Sequence, residues 1–185
     1  MTTNQIKALQ SRVGAFPDGF FGPKSISSCQ QHLNDLKPNP NPWPDQSQES
    51  LRAFYGQPGD ESQLVSIPVI GTFYEGTPLK TIRCHKNVAS SLGRVITELA
   101  AGPFAWILSK YDGCVNFRNM RGGSIPSLHS WGAAIDFWSD KNGNSDHWPD
   151  LAEMPIEVME VFSREGWVCA GSAWGRDAMH FQATL

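Results

Sequence analysis

The sequence predicts an α+β fold, with a small helical module over residues 1–60 and a larger domain over 61–185, in which helices flank a central antiparallel sheet. Three observations carry this expectation. The stretch Gln57-Pro-Gly-Asp-Glu-Ser62 has the composition of a boundary. One long amphipathic stripe follows it. Short strand-like runs and helices are then interspersed up to residue 185. A chain of 185 residues accommodates one well-packed domain and an accessory too small to bury much core alone.

In chain order, residues 6–13 read as a short helix. Phe16-Pro-Asp-Gly-Phe-Phe-Gly-Pro23 is then a turn-rich connector whose glycines can take positive φ. A second helix follows, with Ser25 as its N-cap, and runs to Leu33. It cannot continue through Leu36-Lys-Pro-Asn-Pro-Asn-Pro-Trp-Pro44, where four prolines forbid regular helix and leave a proline-rich linker or long loop. Residues 47–55 read as a third helix closed by Gly56.

Beyond the boundary, residues 64–74 and 79–84 have β-branched, strand-like content, and Pro68 restricts the first run to an edge or an irregular piece. Val88, Leu92, Val95, Ile96 and Leu99 fall on one stripe of a helix that Gly102-Pro103 terminates. Residues 104–108 and 133–138 read as buried strands. Residues 155–164 read as a helix with proline in its first turn and Gly166 after its end. Residues 167–170 and 179–183 supply two more strands.

Composition excludes several function classes. Fifteen Lys and Arg against eighteen Asp and Glu give a net charge of -3, and no basic run is present to support nucleic-acid binding by counterion release. Residues 1–10 are polar, and no later run reaches membrane-spanning length. The expectation is therefore a chain made in the cytoplasm without a signal peptide, not inserted in a membrane, and monomeric. The four cysteines are far apart with no C-x-x-C pair, so buried free thiols are expected. Asp140 to Asp146 superficially resembles a calcium loop, but Ser145 stands at the sixth position and Leu151 at the twelfth, which leaves a solvated loop.

The chemistry-bearing stretches are Ser127-Leu-His-Ser-Trp-Gly-Ala-Ala-Ile-Asp-Phe137 and Trp174-Gly-Arg-Asp-Ala-Met-His-Phe-Gln182. A catalytic zinc takes three nitrogen or carboxylate ligands and leaves one position open, and His129, Asp136 and His180 satisfy that count. In a continuous strand, a separation of seven would send His129 and Asp136 to opposite faces. A turn is therefore required between them, and Gly132 can make it. Asp136 then shares a face with Ala134, while Ile135 and Phe137 point into the core. His180 and Gln182 share one face of the last strand. Asp177 enters from the preceding loop, placed to take a proton from the attacking water and pass it to the leaving amine. Arg118 and Arg121, upstream of the first histidine, are the nearest candidates to stabilise charge on the carbonyl oxygen. Trp174 flanks the second motif and is a candidate wall of the cleft.

Ser-x-His-x-x-Gly-x-Ala-x-Asp followed by Asp-x-x-His resembles the zinc D-Ala-D-Ala carboxypeptidase and L-alanyl-D-glutamate endopeptidase family, with likeness over residues 64–185. The resemblance implies zinc on His129, Asp136 and His180, Asp177 as catalytic base, and an arginine, Arg118 ahead of Arg121, on the substrate carbonyl. It also implies that Ser127 lies near substrate. The family often has Glu at the base position, where this chain has Asp177. Leu9-Gln10 with Pro17-Asp-Gly-Phe-Phe-Gly-Pro-Lys-Ser25 resembles a three-helix peptidoglycan-binding module. That likeness makes Gln10, Asp18, Gly19, Phe21 and Gly22 candidate wall-binding residues.

Together these resemblances imply a peptidoglycan hydrolase of the phage-endolysin type that reaches the wall once the membrane is permeabilised, with L-Ala–D-Glu as the bond cut. A D,D-carboxypeptidase of wall maturation and a non-catalytic zinc-containing wall-binding protein are the alternatives.

Overall fold

A computed structural model describes residues 1–185. Helix α1 (Thr3–Arg12) begins in a capping box between Thr2 and Gln5. Helix α2 (Pro23–Asp35) has Gly22, not Ser25, as its N-cap, with proline at its start. Proline lacks an N–H and has a preset φ, so the helix starts at Pro23 and takes Ser25 inside its first turn. There Ser25 is buried and its hydroxyl accepts a hydrogen bond from Gln10 Nε2 at 3.0 Å. Helix α3 (Gln48–Tyr55) is capped by Ser47 and closed by Gly56 at φ +81°.

Strand β1 (Leu64–Pro68) pairs antiparallel with β4 (Thr81–His85), and the tiny strands β2 (Phe73–Tyr74) and β3 (Thr77–Pro78) form a hairpin between them. The expected run over 64–74 is thus broken after Pro68. Helix α4 (Ala89–Ala101) buries Leu92, Val95, Ile96 and Leu99 and stops at Gly102.

Residues 104–108 are not a strand. They belong to a 3-10 helix, Ala105–Lys110, in which the Ile107 N–H donates to the Phe104 carbonyl at 3.0 Å. Ile107 and Leu108 are buried while Trp106 is exposed, so the apolar run packs by one side of a tight helix without needing a strand partner. It delivers the chain to β5 (Tyr111–Gly113), too short and too rich in Asp and Gly to read as a strand.

The main sheet has four antiparallel strands in the order β5-β6-β8-β7, where β6 is Ala134–Phe137, β7 is Val168–Cys169 and β8 is His180–Gln182. Strand β7 is shorter than expected because Ala170 opens a short helix, α6 (Ala170–Trp174). A side chain at Gly171 would stand 2.7 Å from Ala178 Cβ, so this turn can lie against the segment leading to β8 only with glycine there. Helix α5 (Ile156–Arg164) covers one face of the sheet, with Phe162 stacked on Phe181 at 4.0 Å between ring centroids.

The buried cluster of 37 residues runs across residue 60, from Leu9 to Ala183. Arg12 Nε and Nη2 donate to the two carboxylate oxygens of Glu160 at 2.6 Å each, and His32 Nε2 lies 2.8 Å from the same carboxylate. Burial works against ionisation of Glu160, but the bonds from Arg12 and His32 outweigh it and hold the carboxyl below its usual range. The Trp43 indole donates to the Glu165 carbonyl at 2.8 Å, and the Tyr55 hydroxyl to the Ala183 carbonyl at 2.7 Å. All four cysteines are buried and unpaired. No helix is long and apolar enough to cross a membrane.

Tyr55→Phe removes the buried donor to Ala183 and is expected to lower unfolding free energy by about 1–2 kcal/mol, read from the midpoint of urea unfolding at constant slope. An unchanged midpoint would show that this contact does not help join the N-terminal helices to the sheet.

Candidate metal centre

The site stands on the sheet face opposite α5. Asp136 and His180 are directly paired residues of β6 and β8, which brings their side chains together on one face. Ile135, Phe137 and Phe181 take the other face and are fully buried. His129 comes from the 3-10 turn Leu128–Trp131, which ends at Gly132 in the left-handed conformation at φ +68°. The turn demanded by the odd spacing of seven is therefore present. A Cβ on Gly132 would also lie only 3.0 Å from the His85 backbone nitrogen, Leu64 and Val115.

The ligand atoms of His129, Asp136 and His180 all lie within 4.8 Å of one another. His129 Nε2 is 3.2 Å from His180 Nδ1 and 3.2 Å from Asp136 Oδ2, and His180 Nδ1 is 2.9 Å from Asp136 Oδ1. The outward nitrogens fix the tautomers. His129 Nδ1 faces the Cys114 carbonyl at 2.8 Å and must carry the proton there. His180 Nε2 faces Gln182 Oε1 at 3.1 Å, and Gln182 Nε2 in turn donates to Thr184 Oγ1 at 2.8 Å, which sets the amide's orientation.

Both inward nitrogens then present lone pairs toward a carboxylate, an arrangement that only a cation or an extra proton can satisfy. Two nitrogens and one oxygen, with an open side, suit zinc. Burial opposes charge on Asp136, yet the two histidines beside it prevail and hold its carboxyl well below the ordinary range. Burial likewise disfavours the charged form of His180, but Asp136 outweighs it and raises the proton affinity of that ring. The charge that attracts a proton there attracts a metal ion as well.

Asp177 sits beside this group, in the left-handed region at φ +60°, which Asp tolerates better than most residues. Its Oδ1 is buried without a hydrogen-bond partner, and burial raises its carboxyl above the usual value. Arg121 is close enough to Asp177 to oppose that rise. Arg118 lines a cleft of about 380 Å³ together with His129 and Asp136. Trp174 stacks on the His180 ring at 5.9 Å and 27°. Ser127 is buried, and its hydroxyl accepts the His129 backbone N–H at 3.4 Å, so it caps the turn that presents the first histidine.

Sequence reasoning placed Gln182 on the His180 face without giving it a role; the spacing of two along a strand was the available signal. Tyr74 and Tyr111, which line the cleft with Arg118, carried no motif. Trp148 is buried, donates to the Met154 carbonyl at 2.9 Å and meets Phe21 edge-on at 5.7 Å. Away from the centre, Gln10, Asp18, Gly19, Phe21 and Gly22 gather in and under the α1–α2 loop. Gln10 Nε2 donates to Asp18 Oδ1 at 2.7 Å and Gln10 Oε1 accepts from the Gly19 N–H at 2.8 Å. These two side chains shape the loop, whose exposed aromatics are Phe16 and Phe20.

Gln182→Leu removes the acceptor that holds His180 in its ligating tautomer, and zinc affinity measured by chelator competition is expected to fall about 10- to 100-fold. Gln182→Glu keeps an acceptor and should retain most of the affinity. Equal affinity in the leucine variant would sink the positioning role.

Residues 121–183 match the family model described as D-alanyl-D-alanine carboxypeptidase, a segment of about a third of the chain that contains all three metal-site residues and Asp177. Arg118 lies just outside it. No curated protein and no solved structure matches the chain. The matched segment and the buried His129–Asp136–His180 group within it identify the chain as a zinc metallopeptidase.

Proposed function

We propose that this chain is a peptidoglycan endopeptidase of the endolysin kind, cutting the L-Ala–D-Glu bond of the stem peptide. The family match supports action on D-Ala-containing wall peptide. The observation that carries the endopeptidase reading is the cleft of about 380 Å³ beside the metal group. Tyr74, Leu79, Tyr111 and Arg118 line it together with His129 and Asp136.

Zinc held by His129, Asp136 and His180 would supply Lewis acidity toward the scissile carbonyl and lower the pKa of water. Asp177 holds a free carboxylate oxygen at the site's edge, and we assign it the proton from the attacking water. As the new C–O bond forms and the C–N bond breaks, that proton passes from Asp177 to the departing amine. Arg118, on the cleft wall, offers its guanidinium to the charge that develops on the carbonyl oxygen. Trp174 and the buried histidines exclude water from one flank of the reacting group.

The same chemistry would serve a D,D-carboxypeptidase, the reading that the family description favours. Digestion of purified peptidoglycan, with chelator and then with zinc restored, separates the two by mass spectrometry. New D-Glu amino ends are expected; release of terminal D-Ala alone would replace the endopeptidase by the carboxypeptidase. No new peptide end from zinc-loaded protein on walls of several chemotypes would overturn both.

Asp177→Asn preserves shape and removes the base. Hydrolysis is expected to drop about 10²- to 10⁴-fold with zinc content unchanged. Near-normal turnover in that variant would remove Asp177 from the proton-transfer role.

A further inference from the structure

The hydrogen bonding of β4 leaves one of its edges open onto the metal cleft. In an antiparallel pair, facing residues alternate between those that exchange two main-chain bonds and those that exchange none. The Val69 N–H donates to the Lys80 carbonyl at 3.0 Å and the Lys86 N–H to the Gln63 carbonyl at 2.8 Å, at the two ends of the β1–β4 ladder. Counting inward by twos from either end, Ile67 bonds to Ile82 and Val65 to Cys84. Ser66 with Arg83 and Pro68 with Thr81 are then the pairs without such bonds, and Pro68, which has no N–H, sits at one of them without loss. The N–H and C=O groups of Thr81 and Arg83 therefore point away from β1. Strand β4 has no other strand partner, and none of these four groups bonds elsewhere in the protein.

His85 shows where that edge leads. It also faces away from β1, and its N–H donates to the Gly132 carbonyl at 2.9 Å. Gly132 closes the turn that presents His129. The edge that Gly132 covers at His85 is thus bare at Arg83 and Thr81, about 7 and about 14 Å further along the strand. Thr81, Ile82 and Arg83 all line the cleft of about 380 Å³ to which His129, Asp136 and Arg118 belong. Consecutive residues of a strand point to opposite faces, so a cleft that touches all three meets β4 along its edge. An open edge is a template for one more strand.

We infer that the substrate peptide binds in extended form along the free edge of β4, as an added strand whose main chain exchanges hydrogen bonds with Arg83 and Thr81. The inference rests on the reading of the chain as a wall peptidase, which supplies the occupant. Main-chain pairing suits a stem peptide, whose alanines offer little side chain to grip. Strand β4 lies outside the segment 121–183 that matches the family model, so this edge is a contribution of the preceding part of the chain.

The test uses the zinc-loaded full chain and the peptide N-acetyl-L-Ala–γ-D-Glu–L-Lys–D-Ala–D-Ala, with cleavage at either candidate bond followed by mass spectrometry. Arg83→Pro and Arg83→Ala both lose the guanidinium that meets Glu61 at 3.1 Å, but only proline loses the main-chain N–H. That N–H takes no part in the ladder with β1, so unfolding midpoint and zinc content are expected to agree between the two variants. Arg83→Pro should raise KM about tenfold over Arg83→Ala, with kcat within about twofold. In the wild type, N-methylation of the non-scissile amides one at a time should find one that raises KM about tenfold. With that peptide the proline and alanine variants should differ by less than about twofold, because both changes break the same pairing.

Equal KM for the two variants on the unmodified peptide, or a wild type indifferent to every N-methylation, overturns the strand addition while leaving the peptidase standing. Should the proline variant lose its fold or its zinc, the methylated peptides on the wild type decide alone. A wild type that cuts neither bond overturns the wall-peptidase reading, and the strand addition with it.

Discussion

Three electron-rich atoms held face to face are the constraint around which this molecule is organised. His129 Nε2, His180 Nδ1 and an Asp136 oxygen approach one another to about 3 Å. Left bare they repel. The backbone does not relax that repulsion, because each side chain is held from behind. Cys114 and Gln182 grip the far nitrogens, the β6–β8 register pairs Asp136 with His180, and the Gly132 turn fixes the height of His129. Rigidity on the polar face is sustained by packing on the other, where Phe162 and Phe181 stack beneath Phe137.

The loop that carries Asp177 is held by a different device. Asn142, fully buried, accepts the backbone N–H groups of Glu153 at 3.0 Å and Met154 at 2.6 Å on its side-chain oxygen, and donates to the Trp138 carbonyl at 3.0 Å. Its own carbonyl accepts the Met179 N–H at 3.2 Å, beside the entry to β8. The bridge between His147 and Arg176 secures the same loop one residue before Asp177. The segment that reads in sequence as a solvated turn is thus the brace that aims a carboxylate in a left-handed backbone conformation.

How much of this was legible in sequence depended on the range of the forces involved. The long amphipathic helix, the Gly132 turn and the alternation that sets Asp136 apart from Ile135 and Phe137 follow from local periodicity and are readable, whereas the pairing of Asp136 with His180 depends on strand register. Ser25 was misread because proline's effect on the preceding turn outranks a good capping side chain. Residues 104–108 were misread because a short apolar run has no period long enough to separate strand from tight helix. Asn142 is not readable at all, because it acquires its significance from a segment far away in the chain, at the start of β8.

The bonds from Arg12, His32, Trp43 and Tyr55 to the last thirty or so residues give the chain a shape in which its beginning and end are closed upon each other. A helical module and a metal-bearing sheet joined by a linker could be cut apart and recombined. Here the proline-rich stretch is not a flexible joint of that sort, for Trp43 at its centre meets Trp167 edge-on at 6.1 Å. A chimera that kept only the metal-bearing part would expose the apolar surface under α2 and α3 and forfeit the support of the final strand. The N-terminal helices and the metal-bearing sheet therefore have to be exchanged together.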